Sequence, residues 1–220
     1  MRIFLLLGLL SILVSLLTSC SITPVGFKQF GDIKITAPVK AKNKNSEWIL
    51  YQKQHQKLIK GSWIFEGYVG VNISGKGQSA RVVWERYPDK YQIDLFGPFG
   101  IGGIKIKYQN NIYEFIDANG GIYRDKFPDK LLEKVAGFEL PLSGADYWIL
   151  GVVMPNIKPE YQNINQYGAL EKLSQNGWDI TYNNYKVFNG VLMPVNITFY
   201  NSLKDLRIKL VIKRWAFNLN

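Results

Sequence analysis

The stretch from Lys90 to Tyr108 reads KYQIDLFGPFGIGGIKIKY. On its left, Tyr91, Ile93 and Leu95 alternate with Gln92 and Asp94; on its right, Ile104, Ile106 and Tyr108 alternate with Lys105 and Lys107. Period-two alternation puts apolar side chains on one face of a strand and polar ones on the other. Between the two runs, Gly97 and Pro98 turn the chain, while Gly100, Gly102 and Gly103 leave it bare of side chains. Two half-buried strands around a glycine-rich turn make an antiparallel hairpin, and a β-rich fold follows. Phe99 stands near the tip of that turn. By itself the turn leaves two readings open: a ring folded back on the core, or an apolar finger held out to lipid.

The same alternation runs through most of the chain. Phe65, Gly67, Val69, Val71 and Ile73 oppose Glu66, Tyr68, Gly70 and Asn72; Ala80, Val82 and Trp84 oppose Arg81, Val83 and Glu85. A turn is expected at Gly75-Lys76-Gly77, and others at Pro88-Asp89, Asn110-Asn111 and Asn119-Gly120-Gly121. Asn176-Gly177 is the strongest hairpin signal. Strands are expected at 170–174, from Trp178 through Tyr182, and at 192–200 and 206–217. Roughly ten or eleven short strands joined by tight turns suit an antiparallel meander curling into a barrel or half-barrel. Helices are expected in two places. One begins near Asn45 or Ser46, presents Trp48, Tyr51, His55, Leu58 and Ile59 on one face, and ends at Gly61. The other region opens at Pro128 and continues past Pro141, where Ser143 and Asp146 have capping-box spacing. These helices interrupt the meander and are expected to cover it. Val152 to Tyr167 reads as loop.

At 220 residues and 47% apolar content the chain can fill one sizeable core. A formal charge of +10 suits nucleic acid, anionic lipid or an acidic partner. The N-terminus argues against nucleic acid. After Met1-Arg2, residues 3–17 are almost wholly apolar, shorter than the roughly 20 residues that span a bilayer and apt for a secretory signal. Cys20 is the only cysteine, so it cannot form an intramolecular disulfide. Leu17-Thr18-Ser19-Cys20 resembles the lipobox of bacterial lipoproteins. That resemblance implies a signal at 1–19 and lipid on Cys20, which becomes the mature N-terminus; two or more acyl chains anchor stably. Ser21 is permissive for the outer membrane. Residues 20–44, with scattered Pro, Gly and Lys, read as a tether, and 45–220 as a single domain.

Catalytic chemistry is hard to assemble from these residues. With one histidine and a lipidated cysteine, no Ser/His/Asp or Cys/His set is available. No cluster has metal-ligand spacing. His55, among Gln52, Gln54 and Gln56, reads as a helix-face residue. We expect no enzyme, no cofactor and no metal.

Several stretches jointly resemble the LolB family of outer-membrane lipoproteins. They are the lipobox at Cys20, Trp48, Trp84, Tyr91 through Gly100, and Leu140-Pro141-Leu142. Further on come Trp148-Ile149-Leu150-Gly151, Ser174 to Trp178, Met193-Pro194, and Arg207 to Leu210 with Trp215. The resemblance implies an open antiparallel β half-barrel with helices over a concave apolar cavity. It implies a monomer on the periplasmic face of the outer membrane. Its partners would be a LolA-type periplasmic chaperone, acylated lipoprotein clients and, through the anchor, outer-membrane lipid, with no nucleic acid. It also implies that the Pro98-Phe99-Gly100 turn is a membrane-delivery loop, with Phe where the family usually has Leu. Candidate residues for the acyl-chain cavity are Val69, Val71, Trp84, Ile93, Leu95, Ile104, Ile106, Trp148, Ile180, Ile197 and Ile208. Each reads equally as ordinary core, because a cavity wall and a packed interior have the same sequence pattern. The alternatives are a related lipoprotein that ferries another lipid, or a structural lipoprotein of the envelope.

Overall fold

Alternating strands assemble into one antiparallel sheet in the computed structural model, which describes residues 31–97, 103–136 and 140–218. The strands are β1 (Ile35–Thr36), β2 (Trp63–Ile73), β3 (Lys76–Arg86), β4 (Lys90–Phe96), β5 (Gly103–Gln109) and β6 (Ile112–Ile116). They continue with β7 (Ile122–Asp125), β8 (Tyr161–Ile164), β9 (Leu170–Gln175), β10 (Trp178–Phe188), β11 (Val191–Asn201) and β12 (Leu206–Phe217). Their order in the sheet is β7-β6-β5-β4-β3-β2-β12-β11-β10-β9-β8, with β1 beside β10. Neighbours in that order are consecutive in sequence except β2 and β12, which join the two halves of the meander. The sheet stays open, with β7 and β8 at its edges.

The hairpins follow local chemistry. Asn176-Gly177 and Asn189-Gly190 take positive φ at both positions, the backbone twist that suits tight hairpins. Ser74-Gly75 does the same, so the expected turn at 75–77 lies one residue earlier, and Lys76 and Gly77 belong to β3. Two strands are additional to the expected set. β8 falls in the stretch expected as loop; it is a short, mostly exposed edge strand with no apolar alternation to mark it. β1 lies in the stretch expected as a tether, and pairs Ile35 with Phe188.

Among the described residues, three α-helices cover one face: α1 (Lys44–Lys60), α2 (Pro128–Ala136) and α3 (Leu142–Trp148). α1 starts one to two residues before its expected cap, because Asn43 caps it: the Asn43 side-chain oxygen accepts from the amides of Asn45 at 3.0 Å and Ser46 at 3.2 Å. Its buried face is Tyr51, His55, Leu58 and Ile59. The capping box expected at Ser143 and Asp146 does not form. α3 begins at Leu142, which puts Ser143 inside the first turn; its hydroxyl bonds the Asp129 carboxylate at 2.9 Å, and Asp146 turns to Arg86.

Strand register sets the covered face in rows. One row crosses Trp215, Phe65, Trp84, Ile93, Ile106 and Phe115 from β12 to β6. The next, towards the loop that joins β4 to β5, crosses Gly67, Val82, Leu95 and Ile104. Gly67 faces an irregularity between Ile212 and Arg214 on β12, where a side chain would run into the Val211 carbonyl. The missing Cβ lets the two halves of the sheet approach.

Candidate functional site: the helix-covered apolar face

Tyrosine hydroxyls tie α1 and the sheet to the end of α3, and β10 to β9 beneath it. Tyr51 on α1 donates to the Leu150 carbonyl at 2.7 Å, and Tyr182 on β10 donates to the Trp148 carbonyl at 2.8 Å. Tyr185 donates to the Leu170 carbonyl at 2.7 Å. Burial pushes all three phenols up, so they stay protonated and serve as donors. The Trp148 indole donates to the buried Gln175 side chain at 2.9 Å. Each bond satisfies a polar group that would otherwise be costly in an apolar interior.

The face itself is graded along the strands. Near the helices it is filled with rings: Trp63, Phe65, Trp84 and Trp215 have centroids 5.1–6.2 Å apart. Towards the β4–β5 loop the inward side chains of β2, β4 and β5 are only half-buried, while Val82 on β3 and Leu206, Ile208 and Leu210 on β12 stay buried. Val69, Val71, Leu95 and Ile104 belong to this end, packed against the core but partly open. Leu95 pairs with Ile104 at the last inward position before the loop, and Phe96 pairs with Gly103 just beyond.

All eleven candidate cavity residues lie in this one apolar cluster. Trp84, Ile93 and Ile106 sit in the ring-filled row. Ile208 lies between Phe199 and Val71, Ile197 opposite Leu210, and Ile180 between Leu173 and Phe199. Trp148 reaches the cluster from α3. Cys20 and the Pro98-Phe99-Gly100 turn lie outside the described residues.

The sequence reading missed the polar end of the same face. One residue pair beyond the ring-filled row, towards the Pro88-Asp89 turn, the register places Arg86, Tyr91, Tyr108 and Tyr113 in line. Arg86 Nη1 donates to Asp146 Oδ2 on α3 at 2.6 Å, and Nη2 donates to the Ile59 carbonyl at the end of α1 at 3.3 Å. Burial pushes the Asp146 carboxyl up to about 6, with Arg86 opposing. A cavity of about 380 Å³ opens here, lined by this pair and the three tyrosines. The signal was present in the sequence: Arg86 continues the inward series Ala80, Val82, Trp84.

An open antiparallel sheet folded round an apolar face, with helices pinned across it, defines a small β half-barrel protein. Comparison with known proteins sharpens that class. The family model described as outer membrane lipoprotein LolB matches residues 61–215. The outer-membrane lipoprotein LolB of Francisella tularensis subsp. holarctica is 32% identical over 161 residues, 73% of this chain and 76% of that protein. The LolB of Pseudomonas fluorescens is 30% identical over 177 residues, 80% of this chain and 84% of that protein. Among solved structures, a DUF1329 family protein from Desulfovibrio piger shares the fold at a TM-score of 0.50 with 10% identity, over 83% of this chain and 94% of that one. The chain belongs to the LolB family of outer-membrane lipoproteins.

Proposed function

We propose that this chain takes acylated lipoproteins from a LolA-type periplasmic chaperone, cradles their acyl chains on the graded apolar face, and passes them into the inner leaflet of the outer membrane. The observation that carries the reading is the half-buried apolar end at Val69, Val71, Leu95 and Ile104, continuous with the core and adjoining the β4–β5 loop. An acyl chain laid there extends an apolar surface that already exists.

The energetics require such a surface. Each methylene taken out of water is worth about 0.8 kcal/mol, so one 16-carbon chain exposed in transit costs on the order of 12 kcal/mol. Clients must therefore move from one apolar site to another without crossing water. Direction needs only a modest difference in affinity between donor and acceptor. No bond is made or broken, and the role is a carrier's rather than an enzyme's. In this reading residues 1–19 are removed, Cys20 carries the lipid anchor, and 20–44 link it to the folded domain, with β1 as a point of attachment. The excess of basic residues suits lipid phosphates or an acidic rim on the chaperone.

The test is direct transfer. LolA loaded with a radiolabelled lipoprotein is mixed with this protein lacking its lipid anchor, and the two are separated by affinity capture. Label is expected to move to this protein. Label that stays on LolA at all ratios would sink the reading.

A further inference from the structure

The connection from β11 to β12 holds its one large apolar side chain out in water. Leu203 is 93% exposed, more than any other large apolar side chain among the described residues. A lone exposed leucine needs no explanation by itself. This one stands on a built support, a single 3-10 turn over Ser202–Lys204. The buried Asn201 side chain accepts from the Lys204 amide at 3.2 Å. The Asp205 carbonyl accepts from the Ser74 amide at 3.2 Å, which ties the connection to the β2–β3 turn. Fixed at both ends, the turn keeps its tip away from the core.

Cations surround that tip. Lys204 is next to it in sequence, and Lys76 ends the row Leu206, Ile73, Lys76 at the same rim. Behind it, the outward positions of β12 are Arg207, Lys209, Val211 and Lys213, all exposed. Lys209 stands between Gly70, which has no side chain, and Thr198. The Arg207 guanidinium lies over the Tyr200 ring at 5.1 Å. Two carboxylates are close by. Asp205 is on the connection itself, and Asp179 lies two strands from Arg207, beyond Tyr200, where the Ser174 hydroxyl donates to it. The corner is basic on balance.

A stable protein contact takes about 800 Å² on each partner with an apolar core. Here the apolar tip is flanked by exposed Ser202, Lys204 and Asp205 instead. A lipid surface asks for less: one inserted apolar side chain, and cations over its phosphates. The tip stands on the sheet edge where β4 and β5 also end, and β12 is three strands from β4, roughly 14 Å across the sheet. We propose that the β11–β12 corner docks this protein on anionic phospholipid, with Leu203 entering the leaflet and Lys76, Lys204, Arg207 and Lys209 meeting the phosphates. β2, with half-buried Val69 and Val71, runs beside β12, so docking here sets the open end of the apolar face against the membrane. That use in delivery rests on the acyl-cradle reading; the docking itself does not.

The test is co-sedimentation of the chain from Ser21, which lacks the anchor and keeps every described residue. The vesicles are phosphatidylcholine alone, or phosphatidylcholine mixed with phosphatidylglycerol. Binding to the mixed vesicles is expected to be about tenfold tighter. Leu203→Glu should lower that affinity about tenfold, and Leu203→Phe should keep it. Arg207→Gln combined with Lys209→Gln should remove most of the preference for mixed vesicles. All these side chains are exposed, so thermal unfolding should be unchanged. Equal binding of the unmodified chain to both vesicles would overturn the inference. So would mixed-vesicle binding that either Leu203→Glu or the charge pair leaves unchanged. Charge variants that bind vesicles normally but no longer take label from LolA would also overturn it, and would make the corner a chaperone contact. An unmodified chain that takes no label from LolA sinks the proposed function instead, and the vesicle results still decide the docking.

Discussion

The indole N–H of Trp148 donates to Gln175 Oε1 at 2.9 Å, and this bond fastens α3 to the inner face of β9. Gln175 is fully buried and uses its whole amide. Oε1 also accepts from the Met154 amide at 3.0 Å, and Nε2 donates to the carbonyls of Met154 at 2.9 Å and Ile157 at 2.5 Å. Replacing it with Leu leaves buried donors and acceptors with no partner. We expect Gln175→Leu to cost about 3 kcal/mol and Trp148→Phe about half of that, measured by urea unfolding. Equal stability of Gln175→Leu and the unmodified protein would remove Gln175 as the organiser of this corner.

Gln175 also marks where sequence reading stops. Period-two alternation located the long strands, and β12 begins and ends where the pattern does, because one face of each is buried and the other is solvated. Alternation also brought together the apolar candidate residues, since inward positions on paired strands must meet. It could not distinguish Gln175 from a solvent-facing polar residue beside a turn, because its partners come from 18 to 27 positions away. For Arg86 the inward position was legible, but its partner was not. Its partner Asp146 is 60 residues distant, on a helix whose start the capping-box spacing misplaced by offering Asp146 a local role. Fold is written in local periodicity here, while the polar corners depend on which elements the sheet carries into contact.

Acid should loosen the α1 contact. The His55 ring is fully buried, stacks on Tyr51 with centroids 3.7 Å apart, and bonds the Tyr51 carbonyl through Nδ1 at 2.9 Å. Burial lowers it from 6.5 to about 4. The unfolded chain therefore binds a proton below pH 6.5 that the native state refuses, so this contribution is complete above pH 6.5 and is lost as pH falls towards 4. Its full size is on the order of 3 kcal/mol. Asp146 acts in the opposite sense. Its folded value is pushed up from 3.8 to about 6, so the stability it lends at low pH is lost as pH rises through 6. His55 and Asp146 move by similar amounts in opposite senses, so their contributions nearly cancel, and unfolding free energies should change little between pH 4 and 6. His55→Gln should leave a fall in stability as pH rises from 4 to 6, and Asp146→Asn should expose a rise over the same range. An unchanged profile in His55→Gln would refute the assignment.

The two ends of the apolar face should respond differently to substitution. Phe65 is packed among Trp63, Trp84 and Trp215, so Phe65→Ala is expected to cost about 3–5 kcal/mol in stability. Val71 and Leu95 are only half-buried. Val71→Asn and Leu95→Asn should cost about 1 kcal/mol each in stability, yet weaken displacement of a bound fatty-acid analogue several-fold. Thermal unfolding and ligand displacement on the same samples separate the two effects. If both asparagine variants bind as the unmodified protein does, the half-buried end is not where acyl chains lie.

Phe99 tests delivery rather than acceptance. Burying one phenylalanine gains about 2–3 kcal/mol, far below what a pair of acyl chains contributes at an anchor, so its ring cannot be what keeps the protein on the membrane. It can still lower the barrier at which a client enters the leaflet, because a carboxylate in its place would have to be desolvated at that step. Phe99→Glu is therefore expected to fractionate with the outer membrane and to take label from LolA normally, but to release at least tenfold less client into liposomes. Phe99→Leu should restore release, since it keeps a large apolar tip. The strands that flank the loop pair through Leu95 and Ile104, so release should be impaired with stability intact. Normal liposome transfer by Phe99→Glu would assign delivery to another part of the half-barrel.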